Sequence, residues 1–514
     1  MSIFFTQTFS QNRSTNTAFT SKGGEFFVLT KDNWNDYGFE TTFFLDYWKN
    51  NTSQFIGLVR ILHISETATR FVIEDSFDEL TNDFISLGYN EQYYNNIIAL
   101  LGRTEAKRIL TKLRDISITG LEKNEKFNLE HEGIQNSFFR SSEGRYLYSE
   151  VNDRYFLDKE TQDRDYSFEF KALLSAENDF TKIDFDFTRS NELPNRLFTI
   201  VGKNGVGKTR LLNQLAESLF DSSKPENRNR FTLSATSHKD LDSDIPIFNK
   251  IIAISFSVFD KFYKGSLDDH NNPQANKESD ENLTKFNNYT YVGLHKVDNT
   301  IYTADELIEI NKRSYRNIIE NNLEDLFIDS INSSNILNNE IIKAEFDYNV
   351  FFSEIYSSGQ SIFVTMLCRL LSEIKEGSLV FLDEPELYLH PNAMANLARI
   401  YYKILSQFKS YAILCTHSPI ITQEIPSRYV RKISIIDGDT INYTKPNIET
   451  FGSNISDITT EIFNVLDNES MYKSLLKEWA RTKSEDEVLS LFDDRLSFKT
   501  QLFISSLYKE SDGK

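Results

Sequence analysis

Cysteine is nearly absent from this chain of 514 residues: only Cys368 and Cys415 occur, each inside an apolar segment. That argues against a disulfide framework and against a cysteine-based zinc site, leaving both thiols as inert core residues. Long apolar runs are missing too, since none approaches the roughly 18 to 20 residues that a membrane span needs. The opening stretch MSIFFTQTFSQNRSTNTAF lacks a basic head followed by an apolar run, so the expectation is a cytoplasmic protein with no membrane partner. Basic charge is in deficit, with 56 Lys and Arg against 76 Asp and Glu, a formal net charge of -20. Such a surface repels a phosphate backbone over most of its area. Nucleic acid would then be reached through a local basic groove or through a complex. No repeat of fixed period and no long heptad array is visible, which argues against a solenoid and against coiled-coil arms.

What is present is a globular balance, 39% hydrophobic and 26% charged, on a length that supports two to four domains. Residues 1–160 read as an accessory α+β domain. Aromatic-rich strands such as FETTFFLDYW and SQFIGLVRILHI flank a helical middle from Ser76 to about Asp115, containing DSFDELTNDFISL and EAKRILTKLRDI. Residues 161–445 read as an α/β unit with an insertion at about 221–346, where polar runs bracket the strand-like FNKIIAISFSVFDKF. YSFEFKALL and KIDFDFT alternate as antiparallel strands before the buried run RLFTIV. A hairpin around IIDGDTINY leads to a helical tail, 446–514.

RLFTIV runs into GKNGVGKT, in which Gly202, Gly207, Lys208 and Thr209 fit the phosphate-loop pattern, with Gly205 as a further flexible point. Glycines let backbone N–H groups curl around a phosphate, the lysine reaches the outer phosphates, and the threonine hydroxyl ligates Mg2+. TRLLNQLAESLF then repeats apolar residues at helical spacing. Strand, loop and helix together are the context that gives the motif its meaning.

Three further motifs follow. In GSLVFLDEPELYLHP the apolar strand Leu379 to Leu382 ends in Asp383, placed to hold Mg2+, and Glu384, placed to orient and deprotonate a water. Neighbouring strand residues point to opposite faces, so the chain must end or bend there for both to converge. YSSGQSIFVTMLCRLLSEI puts Ser357, Ser358, Gly359 and Gln360 at a helix start, either as a plain cap or as an anion site aimed away from its own loop. SYAILCTHSPIIT delivers His417 to a strand end, where an imidazole can hydrogen-bond the γ-phosphate and the attacking water. His390 is expected to shape the turn after Glu384.

In chain order, phosphate loop, Ser-Ser-Gly-Gln, Leu-Asp-Glu-Pro and the strand-borne histidine, the four motifs resemble the nucleotide-binding core of ABC-type, AAA-family ATPases, from Tyr166 to Asn442. LDEPELYLHP followed by THSPIIT is similar to the branch holding the OLD family, RecF-like and SMC-like repair ATPases and the ATPases of anti-phage systems. The fold so implied is α/β, a P-loop NTPase of ABC-ATPase type with an antiparallel β lobe, plus the N-terminal α+β domain. The resemblance implies ATP and Mg2+ as cofactors. It implies a nucleotide-binding set of Gly202, Asn204, Gly205, Gly207, Lys208, Thr209, Arg210, Ser358, Gly359 and Gln360. Glu384 and His417 would be catalytic, and Thr209 and Asp383 would hold the metal. It also implies a head-to-tail homodimer, or a higher even-numbered oligomer, with Ser358 and Gly359 of one copy on the phosphate held by Lys208 of the other.

One departure stands out, because no glutamine follows IIAISFSVFDKF where such ATPases have a glutamine loop, and Ser257 or Asp260 is left to replace it. The tail after His417 is shorter than the Toprim nuclease domain of OLD proteins. The chain most resembles Septu-type and retron-associated ATPases, which work with a separately encoded nuclease, here expected to be of HNH type. The expected function is therefore that of a regulatory or sensor ATPase in an anti-phage defence complex. The runner-up is a repair or recombination ATPase that clamps DNA, and a third reading is a scaffold that binds ATP and barely hydrolyses it.

Overall fold

A computed structural model describes residues 1–6, 23–32, 38–122, 124–157, 164–174, 180–189, 192–221, 225–233, 244–262, 288–337, 340–353, 356–436, 440–463, 471–493 and 495–512. Its centre is a seven-stranded sheet in the order Tyr289–Gly293, Ile251–Ser255, Leu379–Asp383, Tyr411–Thr416, Leu197–Val201, Val430–Ile436, Thr440–Thr444. Every neighbouring pair is parallel except the last. Ile251–Ser255, Leu379–Asp383, Tyr411–Thr416 and Leu197–Val201 are buried at every residue, as continuous apolar runs covered on both faces must be. Their register puts Gly293, Ser255, Asp383, Cys415 and Ile200 in one row. The residues that follow that row gather at the carboxyl edge of the sheet, where open parallel sheets bind ligands. Both cysteines are free and buried.

A three-stranded antiparallel lobe, Phe231–Leu233, Ser167–Leu173 and Phe180–Asp186, lies beside this sheet. Inward residues alternate along Ser167–Leu173, and Phe185 and Phe187 pack on Phe198 of the phosphate-loop strand. The ABC-ATPase-type fold with an antiparallel lobe is thus the one found. Residues 221–346, expected as an insertion, are woven into it. They supply the two strands at one edge of the central sheet and the helices Ala304–Glu320 and Glu324–Ser334. Asn311 on the first of these donates to Thr365 at 2.9 Å across to the helix Ser358–Glu373. Most of the polar runs expected around the strand, 234–243 and 263–287, lie outside the described residues.

The N-terminal part has its own core and a six-stranded mixed sheet, ordered Ser76–Phe77, Ile3–Thr6, Glu25–Lys31, Thr42–Lys49, Thr52–His63, Phe84–Gly88. The helical middle expected from Ser76 is corrected here. Ser76–Phe77 pairs with Ile3–Phe4, and Phe84–Gly88 pairs with the end of Thr52–His63, so the first helix starts only at Glu91, capped by Asn90. Tertiary packing overrides the helix-like acids of DSFDEL: all five residues of Phe84–Gly88 are buried, and a Cβ on Gly88 would come within 2.5 Å of the Tyr93 ring. EAKRILTKLRDI does form a helix, Arg103–Lys112.

The two cores meet at the amino-terminal end of the Asp383 strand. Gly377, at φ +74°, lies against the Tyr146 ring, and Arg154 bridges Glu91 at 2.7 Å and Glu376 at 3.4 Å. Asn249 donates to Glu91 and to the Glu376 carbonyl, and Asn288 donates to Ser142. The tail forms a small third core from Leu476, Val488 and Ile504.

Candidate active site

The phosphate loop joins Leu197–Val201 to the helix Lys208–Phe220. Gly205 and Gly207 have φ of +81° and +96°, the left-handed region that side chains resist and that lets successive backbone N–H groups curl around an anion. Lys208 is buried, and its Nζ donates to the carbonyls of Gly202 at 3.1 Å and Lys203 at 3.3 Å while facing His417 Nε2. Burial lowers its pKa, and nearby Cys415, Glu384, Asp383 and Glu386 oppose that shift. Asn204 and Arg210 are exposed beside the loop.

Asp383 accepts a 2.8 Å hydrogen bond from the Thr209 hydroxyl on Oδ2, while its buried Oδ1 has no partner. Burial pushes this carboxyl up to about 7; the Thr209 bond pulls it down and the Glu384 charge raises it again. A buried carboxylate oxygen with no donor, beside a hydroxyl, fits a Mg2+ site completed by water and phosphate oxygens. The bend required after Asp383 is found in Glu384, whose φ is +47°, a strained value for a residue other than glycine. Its amide still donates to the Cys415 carbonyl, and its side chain swings to His417, Oε1 to Nε2 3.1 Å. The bond from His417 holds the Glu384 carboxyl below its usual range, against burial. An Nε2–H can donate to Glu384, whereas a bare Nε2 can only accept from Lys208, so the trio holds one of these bonds at a time.

Two residues that the motifs did not single out complete this edge. Buried Glu386 accepts on Oε1 from the His417 amide at 2.8 Å and from the Thr416 hydroxyl, which fixes the turn that carries the imidazole. Its signal in the sequence was a second glutamate two positions after the first. Ser255, level with Asp383 in the neighbouring strand, keeps a buried hydroxyl with no partner.

The helix Ser358–Glu373 opens with a capping box: Ser357 Oγ accepts from the Gln360 amide and Gln360 Oε1 from the Ser357 amide. Gln360 also donates to the Ile336 carbonyl, so both ends of its side chain are engaged within the chain. Ser358 is exposed. Gly359 sits so close to the Tyr388 carbonyl that a Cβ would stand 2.2 Å from the oxygen. Lys208, Thr209, Asp383, Glu384 and His417 are brought together, and among the described residues Ser358–Gln360 make no hydrogen bond to them. Of the two glutamine-loop candidates, Asp260 is buried with its carboxylate bound to Tyr291, His295 and the Phe262 amide. Ser257 caps a turn at Phe259. His390 caps the helix Pro391–Gln407, shaping the turn as expected.

Residues 213–422 match the family described as AAA domain, putative AbiEii toxin, Type IV TA system. That span begins just past the phosphate loop and includes Asp383, Glu384 and His417. Protein ea59 of Escherichia phage lambda is 25% identical over 523 residues, covering 94% of this chain and 95% of that protein. Among solved structures, the SMC head domain from Thermotoga maritima is 13% identical with a TM-score of 0.30, covering 55% of this chain and all of that one. The cbiO1 protein from Clostridium perfringens, part of the ABC transporter complex cbiONQ, is 15% identical with a TM-score of 0.26, covering 52% and 84%. Overlays that loose carry no weight; the sheet order and the residues at its carboxyl edge do. No described helix is long and apolar enough to cross a membrane. With a phosphate loop, an Asp–Glu pair ending a parallel strand and this sheet order, the central unit has the α/β fold of a P-loop ATPase of ABC type, and part of it is similar to the AAA domain family.

Proposed function

We propose that this chain is the ATP-binding and hydrolysing regulatory subunit of a bacterial anti-phage defence complex, in which two copies close around ATP and control a separately encoded, HNH-type effector nuclease. The observation that carries the ATPase reading is the pairing of Thr209 with Asp383 and of Glu384 with His417 around one unpartnered carboxylate oxygen. The defence reading is supported by the toxin–antitoxin description of the matching family and by a full-length relative in a phage.

In this reading Lys208 exchanges its loop carbonyls for the outer phosphate oxygens, joining the backbone amides of the loop. Thr209 and Asp383 would hold Mg2+, which neutralises charge on the phosphates. Freed from Lys208, His417 donates its Nε2–H to Glu384 and keeps that carboxylate ionised and oriented. Glu384 then positions the attacking water and takes its proton. Ser358, exposed at its helix start, would complete the pocket of the second copy.

Glu384→Gln should retain ATP, slow hydrolysis by about 10²-fold or more and accumulate an ATP-bound dimer in light scattering. Normal turnover in that variant would overturn the assignment of the base. Ser358→Arg should spare ATP binding by the single chain yet prevent the dimer, and a dimer that still forms and hydrolyses would sink the paired arrangement. The regulatory role is tested by expressing the whole operon. A chain that purifies alone and shows ATP-dependent DNA binding falling steeply with salt would replace this reading with that of a DNA clamp.

A further inference from the structure

Far from the phosphate loop, two arginines converge on one neutral oxygen. Arg145, in the helix Ser142–Val151 of the N-terminal unit, is 1% exposed and donates to Gln135 Oε1 at 3.0 Å. Arg228, which ends the short helix Pro225–Arg228 just beyond the phosphate-loop helix, donates to the same Oε1 at 2.9 Å. Gln135 is held in place by its own amide, which donates to the Leu129 carbonyl. Arg145 Nε is buried with no partner, and the guanidinium lies 5.2 Å from the Phe139 ring centroid.

Among the described residues neither arginine has a carboxylate in an ion pair. Burial first, and then the charge of Arg228, push the Arg145 guanidinium down to about 9, and burial lowers Arg228 as well. Guanidinium pairs in a protein interior are ordinarily offset by acids, because an uncompensated buried charge is costly. Here one amide oxygen serves two cations and one donor is left over. An anion with several acceptor oxygens would relieve both deficits.

We propose that the junction between the N-terminal unit and the ATPase unit is a binding site for a small phosphate-bearing anion, with Arg145 at its floor and Arg228 at its mouth. Two forks approaching from different elements suit the several oxygens of a tetrahedral phosphate. The ligand is small because Arg145 has almost no exposed surface and because a chain of net charge -20 does not draw in a polyanion. Its occupant would tie the two units together, since Gln135 and Arg145 come from one and Arg228 from the other.

The test uses the full chain carrying Lys208→Ala, so that the phosphate loop no longer competes. Inorganic phosphate and AMP are titrated separately by calorimetry, which distinguishes free phosphate from a nucleotide. Either is expected to bind at one site per chain and to raise the melting temperature. Arg145→Gln and Arg228→Gln should each weaken binding about tenfold or more. Should Arg145→Gln fail to fold, Arg228→Gln, at a half-exposed position, decides alone. The site is overturned if neither anion binds, if binding survives Arg228→Gln, if acetate binds as tightly, or if only a 5′-phosphorylated oligonucleotide binds.

Discussion

Glu386 offers the sharpest test of how the site is held. Its Oε1 accepts from the His417 amide and the Thr416 hydroxyl, so Glu386→Ala strands two donors at the end of a buried strand. Each such loss costs about 1–3 kcal/mol. Removing the carboxylate also removes a buried Oε2 that has no partner, which returns part of that cost. A net destabilisation of about 2–3 kcal/mol is expected. The effect on chemistry should be larger, because His417 reaches Glu384 only from this turn; a displacement of an ångström is worth roughly 10²-fold in rate. Glu386→Gln keeps the Oε1 acceptor and should hydrolyse ATP within a few-fold of the parent. Urea unfolding and single-turnover hydrolysis read the two effects separately. In a His417→Ala background Glu386→Ala should slow hydrolysis no further, since the residues act in series. Wild-type turnover in Glu386→Ala, or losses that multiply in the double variant, would refute the positioning role.

Gly359→Ala drives a methyl group into the Tyr388 carbonyl and should cost about 1–3 kcal/mol in urea unfolding, against almost nothing for Ser358→Ala at an exposed site. Asp115 is wholly buried, accepting from the amide and hydroxyl of Ser117 and from Tyr94, and burial raises its carboxyl to about 6. Because the folded pKa lies above the unfolded value, its contribution is fully present below about pH 4 and is lost as pH rises through about 6. Asp115→Asn should therefore gain on the parent by up to about 3 kcal/mol between pH 4 and pH 7, read from the N-terminal unfolding transition, and a constant difference across that range would contradict it.

What could be read in the sequence was whatever chemistry ties to a residue type at a fixed spacing. Glycines, lysine and threonine around a phosphate, and two acids and a histidine at strand ends, need those side chains in those places. Glu386 escaped because it serves the site through a backbone amide, which imposes no spacing on the chain. Phe84–Gly88 escaped because a short apolar run behind acidic residues is compatible with a helix start, and only packing against Tyr93 and Tyr94 makes it a strand. The strand Tyr289–Gly293 was hidden next to a long polar run, and the meeting of Gln135, Arg145 and Arg228 depends on three segments that nothing in sequence order connects.

The five residues from Leu379 to Asp383 begin beside the N-terminal unit and end in the phosphate pocket, bonded on both flanks and buried throughout. A rod of that kind, roughly 17 Å long, has no slack in which to absorb a push. Tilting the accessory unit against Gly377 would displace the Asp383 carboxylate at the far tip. Between the N-terminal unit and the phosphate loop there is thus a single stiff span of main chain, so a displacement at either end is carried to the other.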